Sequence, residues 1–424
     1  MLRVFESFAG IGTQRMGLVR AGINHEVVGI CEIDKFAIDS YQAIHGEIKN
    51  YGDISKLDTK DLPDFDLFTY SRPCQDLSMA GKQKGFDKGS GTRSSLLWEC
   101  ERIIEAKRPK YLLMENVKAL TFKKNLPGYE KWLEILRNLG YTNYSKVLNA
   151  KDYGVPQNRE RVFCISILDD DQGFEFPDKQ VLKTRLKDVL EESVDEKYYL
   201  SNDRVKQLVG IVRNGGVKGK TVFDSSINEP KEKEVANCIT TRQRGISNRK
   251  SEGNVVVEPK IIQTHMLNKK TRHNPSDNRV YDQEGLSPTL TCHTGNGIPQ
   301  ITVTNEGTIP IKNGTKKGYL EAHPGDGIDL INPTCNNRRG RMQKDCSQTL
   351  TCNNNRGVVT DDFRIRKLTP LEYWRLMGID DKDFYKARKV NSDSQLYKQA
   401  GNAIVVDVLA AIFMQLFRNK EIEG

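Results

Sequence analysis

Five short apolar runs divide the first 190 residues of the chain. Amphipathic stretches separate them, such as YEKWLEILRNLG at 129–140. Unbroken apolar runs of this length are typical of strands in a parallel sheet that helices cover on both faces. The pattern predicts a doubly wound α/β fold built on the runs LRVFESF (2–8), EVVGICE (26–32), FDLFTY (65–70), KYLLMEN (110–116) and RVFCISI (161–167).

The pattern changes between residues 200 and 360, which are rich in Gly, Asn, Thr and Arg and lack long apolar runs. We expect no large core from this region. Three of its segments resemble one another, namely ANCITTRQRG (236–245), SPTLTCHTGNG (287–297) and SQTLTCNNNRG (347–357). Each predicts a short strand followed by a presented loop, and chance similarity in a Thr- and Asn-rich region is the alternative.

Apolar helical sequence returns after residue 361. The stretch from Ala403 to Phe417 is apolar on nearly every side, so it must be buried. Because the middle region offers no core for it, we expect this stretch to pack on the first 190 residues. The chain then divides into a first part at 1–190, an insertion at 191–362 and a returning part at 363–424 that completes the first.

The formal charge of +9 lies entirely in the middle of the chain, where residues 201–360 hold 24 Lys and Arg against 15 Asp and Glu. A neutral body with a basic insert is typical of a nucleic-acid-binding protein, because Lys and Arg replace the counterions of phosphates. A merely basic, soluble surface is the alternative.

The nine cysteines are scattered and form no C-x-x-C pair, so neither a disulfide framework nor a zinc site is indicated. The N-terminus has no basic-then-apolar leader, and no stretch reaches the roughly 18 apolar residues of a membrane span. These features predict a soluble protein of a reducing cytoplasm, with no metal and no membrane contact.

A glycine turn, FAGIGT (8–13), follows the first run. Gly10 and Gly12 would let the backbone approach a ligand closely, although a plain strand-helix turn is an equal alternative because the third glycine of G-x-G-x-x-G is missing. Glu32 ends the second run, where an acidic side chain typically binds ribose hydroxyls, and Asp53 could serve an adenine edge. Together they predict an adenosine-containing cofactor.

Cys74 follows the third run in the segment SRPCQ. Pro73 stiffens this turn, and a positive charge such as that of Arg72 lowers the pKa of a nearby thiol, so Cys74 is a candidate nucleophile. For Arg72 itself, contact with a phosphate and simple solvent exposure are the alternatives. An inert buried cysteine is the alternative. Glu115 ends the next run, where a carboxyl group is costly unless it is paired or acts as an acid, so it is a candidate proton donor.

Two arginines lead into the last run in QNRER (157–161). On a strand, Arg159 and Arg161 would face the same side, and two guanidinium groups at one site suit phosphate or carbonyl oxygens. A surface charge cluster is the alternative.

The motifs occur in an order that resembles the DNA (cytosine-5) methyltransferases of bacteria and phages, over roughly 1–168 and 361–415. The segments that carry the resemblance are FAGIGT, Glu32, GDI (52–54), PCQ (73–75), ENV (115–117), QNRER, RKLTPLEYWRLMG (366–378) and GNAIVV (401–406). The resemblance implies a mixed, mostly parallel sheet of the S-adenosylmethionine-dependent methyltransferase fold. The insertion would be a smaller, irregular β-rich target-recognition domain.

The resemblance also implies roles for single residues. Cys74 would add to cytosine carbon 6, Glu115 would engage ring nitrogen 3, and Arg161 would hold the carbonyl oxygen, with Arg159 on the same face. The expected residues of the S-adenosyl-L-methionine site are Phe8, Gly10, Gly12, Glu32, Ile33, Asp53, Ile54, Pro73, Asn402 and Ala403. Ser71 and Arg72 before Pro-Cys-Gln, and Ala403 where Ser is frequent, depart from the family pattern.

A flipped cytosine of double-stranded DNA is the expected substrate, since the chemistry cannot occur inside a base stack. The glycine-rich, basic segment 78–96 is similar to the family's mobile catalytic loop. The expected DNA contacts are Arg72, Ser78, Lys82, Gln83, Arg93, Arg242 and Arg244. We expect a monomer of the cytoplasm, associated with the nucleoid, that serves restriction-modification or phage self-protection.

Three other functions compete with this interpretation. A zinc cytosine deaminase requires P-C-x-x-C, but Leu77 stands at the position of the second cysteine. A catalytically silent DNA-binding protein on the same fold would not need Cys74, Glu115 and Arg161 together. An RNA (tRNA) cytosine-5 methyltransferase is the nearest rival, and the size of the basic insertion favours DNA.

Overall fold

The computed structural model describes residues 1–71, 96–208, 222–224, 231–233, 254–256, 263–266, 279–281 and 308–418. The largest sheet in these ranges has six strands in the order β2-β1-β3-β4-β7-β5. Its strands are β1 (Leu2–Ser7), β2 (His25–Cys31), β3 (Leu67–Tyr70), β4 (Tyr111–Val117), β5 (Tyr141–Asn149) and β7 (Glu160–Leu168), and the two-residue strand β6 (Gln157–Asn158) lies outside this sheet.

Strands β1 to β4 are parallel, and β7 runs antiparallel to both β4 and β5. A mixed, mostly parallel sheet is therefore confirmed, but the run at 161–167 does not lie parallel to the others. Strand β5 was not predicted. Its sequence, YTNYSKVLN, is polar because β5 is the outermost strand and only two of its nine residues are buried.

Helices cover both faces of this sheet, as the alternation of runs predicted. One core joins residues of α1 (Thr13–Arg20) and α2 (Lys35–His45) to the sheet, and a second core joins α3 (Leu97–Lys107) and α4 (Leu126–Asn138) to it. The short helix α5 is Asn202–Leu208. Single 3-10 turns lie at Ile54–Lys56, Thr59–Asp61, Lys118–Thr121, Ala150–Tyr153, Leu186–Val189 and Glu196–Tyr198.

The C-terminal helices return to the first core, and their bounds are α6 (Pro370–Arg375), α7 (Asp381–Arg388), α8 (Asp393–Asn402) and α9 (Val406–Leu416). Helix α9 packs on α1 so closely that a Cβ added to Gly17 would lie 2.6 Å from Leu409 Cβ. The expected packing of the apolar C-terminal stretch is confirmed. Among the described residues, 393–416, which spans α8 and α9, is the one helical stretch long and apolar enough to cross a membrane, and it is 72% buried inside the protein.

Short strands make up the described part of the middle region. They are β8 (Val222–Asp224), β9 (Lys231–Lys233), β10 (Asn254–Val256), β11 (Gln263–Met266), β12 (Arg279–Tyr281), β13 (Ile309–Lys312), β14 (Tyr319–Ala322), β15 (Gly327–Asp329), β16 (Met342–Gln343), β17 (Ser347–Gln348), β18 (Arg356–Val359) and β19 (Ile365–Lys367). Strands β16-β15-β18-β19 form one sheet, and a third, small core of eight buried residues lies beneath this area.

The third repeat segment lies within this sheet region. It begins as β17, continues as a loop through residues 349–355 and ends in β18. Strand β17 pairs with β6 and not with β16 or β18, its neighbours in the sequence. The two strands are parallel, with Ser347 opposite Gln157. The other two repeats, at 236–245 and 287–297, lie outside the described residues, and the boundaries proposed for the insertion remain a prediction.

Candidate active site

The turn after β1 has the backbone that its glycines predicted. Gly10 and Gly12 have φ of 57° and 77°, and Phe8 also has a positive φ of 57°. A Cβ at Gly12 would lie 2.5 Å from His45 Nε2, so only glycine fits there. A Cβ at Gly10 would meet no described atom within 4 Å, so the backbone there faces open space into which a ligand can fit.

The carboxylate of Glu32 ties this turn to the end of β2. One oxygen accepts the N–H of Gly10 at 2.9 Å, and the other accepts the N–H groups of Ile33 and Asp34, both at 2.8 Å. Asn50 exchanges two hydrogen bonds with the backbone of Glu32. Glu32 is thus a structural element of the turn, and contact with a ribose remains a prediction.

The other expected cofactor residues of the N-terminal half differ in exposure. The side chain of Ile33 is 74% exposed at the end of β2, whereas Ile54 is 3% exposed and belongs to the second core. Asp53 accepts bonds from the N–H and hydroxyl of Ser55, and the first of these lowers the pKa of Asp53 most. Ile33 can therefore offer a ligand an apolar side chain, and Asp53 can offer a partly exposed carboxylate. The buried Ile54 can offer only its backbone.

Glu115 and Arg161 meet at the carboxyl end of β4. Because β7 is antiparallel to β4, Arg161 lies opposite Val117, and Arg161 Nε is 3.1 Å from Glu115 Oε1. Glu115 is 8% exposed. Burial raises the pKa of this carboxyl group, and the charges of Arg161 and Arg159 oppose the rise. Burial thus favours the protonated form of Glu115, and the guanidinium of Arg161 lies beside it.

Arg159 is buried and contacts main-chain carbonyls of the returning part. Its guanidinium donates to Leu350 O at 3.3 Å, to Gly401 O at 3.1 Å and to Ala403 O at 2.8 Å. Strand β6 ends before Arg159 and β7 begins after it, so the two arginines do not occupy one continuous strand. Arg159 joins three segments, while Arg161 pairs with Glu115.

Gln157 was not singled out in the sequence, although it opens the motif QNRER. Its fully buried amide donates to Leu376 O at 2.6 Å and accepts the N–H of Leu350 at 3.0 Å. Gln157 and Arg159 thus bind the N–H and C=O of one residue, Leu350. No periodicity or charge pattern could have identified this role, because the partners lie more than 190 residues away in the chain.

The expected residues of the returning part lie beside the glycine turn. Asn402 is exposed and ends α8, and the following Ala403 is buried. The N–H of Ile404 donates to Thr13 Oγ1 at 3.3 Å, which brings this segment to the start of α1. The side-chain amide oxygen of Asn402 accepts a hydrogen bond from Cys352 Sγ at 3.0 Å.

A buried acid behind the glycine turn was also missed. Glu6 is fully buried in β1 and accepts a hydrogen bond from the Tyr41 hydroxyl at 2.8 Å. Burial raises the pKa of Glu6 to about 7, against the effects of Tyr41 and Arg15. The ring of Tyr41 packs on that of His45, whose pKa is lowered to about 4 by burial. This cluster supports the turn from behind.

Several predicted residues lie outside the described part of the chain: Arg72, Pro73, Cys74, Ser78, Lys82, Gln83, Arg93, Arg242 and Arg244. Strand β3, which leads to Cys74, pairs with β4 up to Tyr70 opposite Met114. The chain therefore leaves the sheet beside the strand end that bears Glu115. Among the residues searched, no group of three His, Cys, Asp or Glu side chains could hold a metal ion.

Comparisons with known proteins identify the family of the chain. The family model described as C-5 cytosine-specific DNA methylase matches residues 2–418. The chain belongs to this family. Its reaction is methylation of cytosine carbon 5 in DNA, which is the activity that the motifs predicted.

Known relatives match the chain over its full length. It is 34% identical to the type II methyltransferase M2.ScrFI of Lactococcus lactis subsp. cremoris, over 99% of this chain and 100% of that protein. It is 32% identical to the orphan methyltransferase M.SPRI of Bacillus phage SPR, over 100% and 99% of the two chains.

Solved structures agree on the fold. The Dnmt2 methyltransferase of S. pombe is 17% identical with a TM-score of 0.53, and the alignment covers 98% of each chain. The methyltransferase EhMeth of Entamoeba histolytica is also 17% identical, with a TM-score of 0.55 and the same coverage. At this identity the likeness concerns the architecture alone.

Proposed function

We propose that the chain methylates a cytosine flipped out of a specific duplex DNA sequence through a covalent adduct with Cys74. The observation that carries this proposal is the buried Glu115, paired with Arg161 at the sheet edge from which the Cys74 segment departs. In this scheme the Cys74 thiolate forms a bond to carbon 6 of the cytosine. Glu115 holds a proton at ring nitrogen 3, and Arg161 holds the carbonyl oxygen, so that charge can flow into the ring.

The residues of the turn after β1 suit S-adenosylmethionine as the methyl donor. The open space at Gly10, the exposed side chain of Ile33 and the carboxylate of Asp53 supply close backbone approach, an apolar surface and a hydrogen-bond acceptor. When bound, this cofactor would supply an electrophilic methyl group. Removal of the carbon 5 proton then expels the Cys74 thiolate and restores the aromatic ring.

The biological role that we propose is protection of DNA by modification. The relatives reported above are a type II methyltransferase and a phage methyltransferase described as orphan, so both a restriction-modification system and phage self-protection are compatible with this chain. We propose that the enzyme acts in the cytoplasm as a monomer bound to duplex DNA.

The test is methyl transfer from tritiated S-adenosylmethionine to duplex DNA of mixed sequence. We expect label on cytosine carbon 5, and Cys74→Ser should abolish transfer while DNA binding survives. Cys346→Ser, which alters a half-buried thiol of the middle region, is the matched control and should retain activity. Label on an exocyclic amine, or turnover by Cys74→Ser, would contradict the covalent scheme.

A further inference from the structure

A short segment of the middle region lies directly against the end of α8. A Cβ added to Gly401 would lie 2.5 Å from the carbonyl carbon of Thr351 and 2.6 Å from the backbone nitrogen of Cys352. Glycine, which has no Cβ, permits this close approach of two main chains. The end of α8 and this segment therefore pack as one unit, although Cys352 and Asn402 are 50 residues apart in the chain.

Arg159 fixes the main chain on both sides of Asn402. Its guanidinium donates to the carbonyl oxygens of Gly401 and Ala403, the residues before and after Asn402. A third hydrogen bond, to Leu350 O, ties the neighbouring segment of the middle region to the same guanidinium. The backbone of Asn402 thus has a defined position between two anchored residues.

The side chain of Asn402 is held by the thiol of Cys352. Cys352 Sγ lies 3.0 Å from Asn402 Oδ1 and donates a hydrogen bond to it. Although Cys352 is an exposed residue, desolvation of its sulfur raises the pKa of the thiol, against the charges of Arg159 and Lys398. The thiol therefore keeps its proton at neutral pH and remains a donor, which favours one orientation of the amide.

Helix α8 is also joined to the loops that carry the other expected cofactor residues. Beyond Asn402, the N–H of Ile404 donates to Thr13 Oγ1 at 3.3 Å, at the end of the glycine turn. Farther back in α8, Lys398 Nζ is 2.6 Å from Asp34 Oδ2, in the loop that follows β2. Asn402 thus stands in a segment that is tied to both of these loops.

These contacts give Cys352 a function that its sequence context does not indicate. We propose that Cys352 is a positioning residue for the methyl donor: its thiol holds the side chain of Asn402 in the orientation that binds S-adenosylmethionine. The inference rests on the proposed function, in which Asn402 contacts the cofactor. Cys352 takes no part in the chemical steps, so its removal lowers the affinity for the cofactor and leaves the rate at saturation unchanged.

The experiment compares Cys352→Ala with Cys352→Ser. Isothermal titration gives the Kd of S-adenosylmethionine without DNA, and tritium transfer to duplex DNA gives the KM of the cofactor and kcat. The alanine variant lacks the donor, so we expect Kd and KM to rise about 3- to 10-fold with kcat unchanged. The serine variant keeps a hydroxyl donor and should recover most of that affinity.

A double-mutant cycle tests whether the effect passes through Asn402. Asn402→Ala removes the side chain that Cys352 holds, and we expect it to raise the Kd by itself. Addition of Cys352→Ala to this variant should raise the Kd no further, because the two residues act through one contact.

Cys335→Ala is the matched control. Cys335 is also an exposed cysteine of the middle region, and it too stands between a threonine and an asparagine. Its removal should leave Kd, KM and kcat unchanged. Thermal melting curves establish the temperature below which every variant is folded, and all titrations are made below it.

Three outcomes would overturn the inference alone: an unchanged Kd in Cys352→Ala, an equal loss of affinity in the alanine and serine variants, or a cost of Cys352→Ala that is the same with and without the Asn402 side chain. Failure of the unaltered chain to bind S-adenosylmethionine would overturn the proposed function, and this inference with it.

Discussion

The edge of the six-stranded sheet and the sheet of residues 327–367 both present polar loops, but they hold them by different means. At the edge, two large hydrophobic cores position the strands. Single carboxylates complete the arrangement: Glu32 accepts hydrogen bonds from main-chain N–H groups, and Glu115 pairs with Arg161. The smallest of the three cores, with eight buried residues, packs on the second sheet. There, Asp329 pairs with the two arginines Arg338 and Arg356, and the buried Arg341 donates to four main-chain carbonyl oxygens. Where the hydrophobic core is smaller, charged side chains with several hydrogen bonds hold the loops.

The largest effect should come from the edge, in Glu115→Gln. The amide cannot transfer a proton, so we expect kcat to fall about 10²- to 10⁴-fold, with cofactor and DNA binding retained. Tritium transfer under saturating substrates measures this change. Glu134→Gln, which changes an exposed carboxylate on α4, is the control and should behave as the unaltered chain. A Glu115→Gln variant with kcat within tenfold of the original would remove the acid from the scheme.

Asp329→Asn probes the second sheet by the same kind of change. Its loss of charge leaves the buried guanidinium of Arg356 without its partner, so we expect the free energy of unfolding to fall by about 3 kcal/mol, at the low end for a broken buried pair. Urea denaturation measures it. Glu321→Gln breaks the exposed pair with Lys317 and should leave the free energy of unfolding nearly unchanged. Equal costs would show that the buried contacts do not stabilise this region.

Glu6→Gln tests the carboxyl group behind the glycine turn. Because the pKa of Glu6 is raised to about 7 in the folded protein, the folded state keeps its proton while the unfolded state has lost it. Stability should therefore decrease as pH rises from about 4.5 to 7, by up to about 3 kcal/mol. Glu6→Gln should remove that decrease, as measured by urea denaturation across this pH range. A pH profile that is identical in the two proteins would contradict the raised pKa.

The smallest effects should distinguish the two glycines of the turn. Gly12→Ala adds a methyl group against His45 to the cost of a left-handed backbone, so we expect stability to fall by about 2 kcal/mol. Gly10→Ala should cost about 1 kcal/mol because its methyl group enters open space. We expect Gly10→Ala to weaken cofactor binding more than Gly12→Ala does. Thermal unfolding and cofactor titration on both variants would show whether these effects divide as expected.

Much of the edge could be predicted because its determinants are local in sequence. A strand that is buried on both faces appears as an apolar run, and Gly10, Glu32 and Glu115 lie at or just beyond the ends of such runs. The parallel arrangement then brings these ends to one edge. Strand β5 escaped prediction because an outer strand needs no apolar run, and the direction of β7 is not encoded in its composition.

The sequence by itself determined the layered α/β fold, the burial of the C-terminal helix and the strand-end positions of the glycines, Glu32 and Glu115. Only the tertiary structure decided that Arg161 pairs with Glu115 and that Gln157 and Arg159 bind the N–H and C=O of Leu350. It also decided that Asp329 pairs with both Arg338 and Arg356. The physical reason is that apolar periodicity reports how a segment is buried, whereas a hydrogen bond or ion pair between distant residues depends on which segments the folded chain brings within about 3 Å.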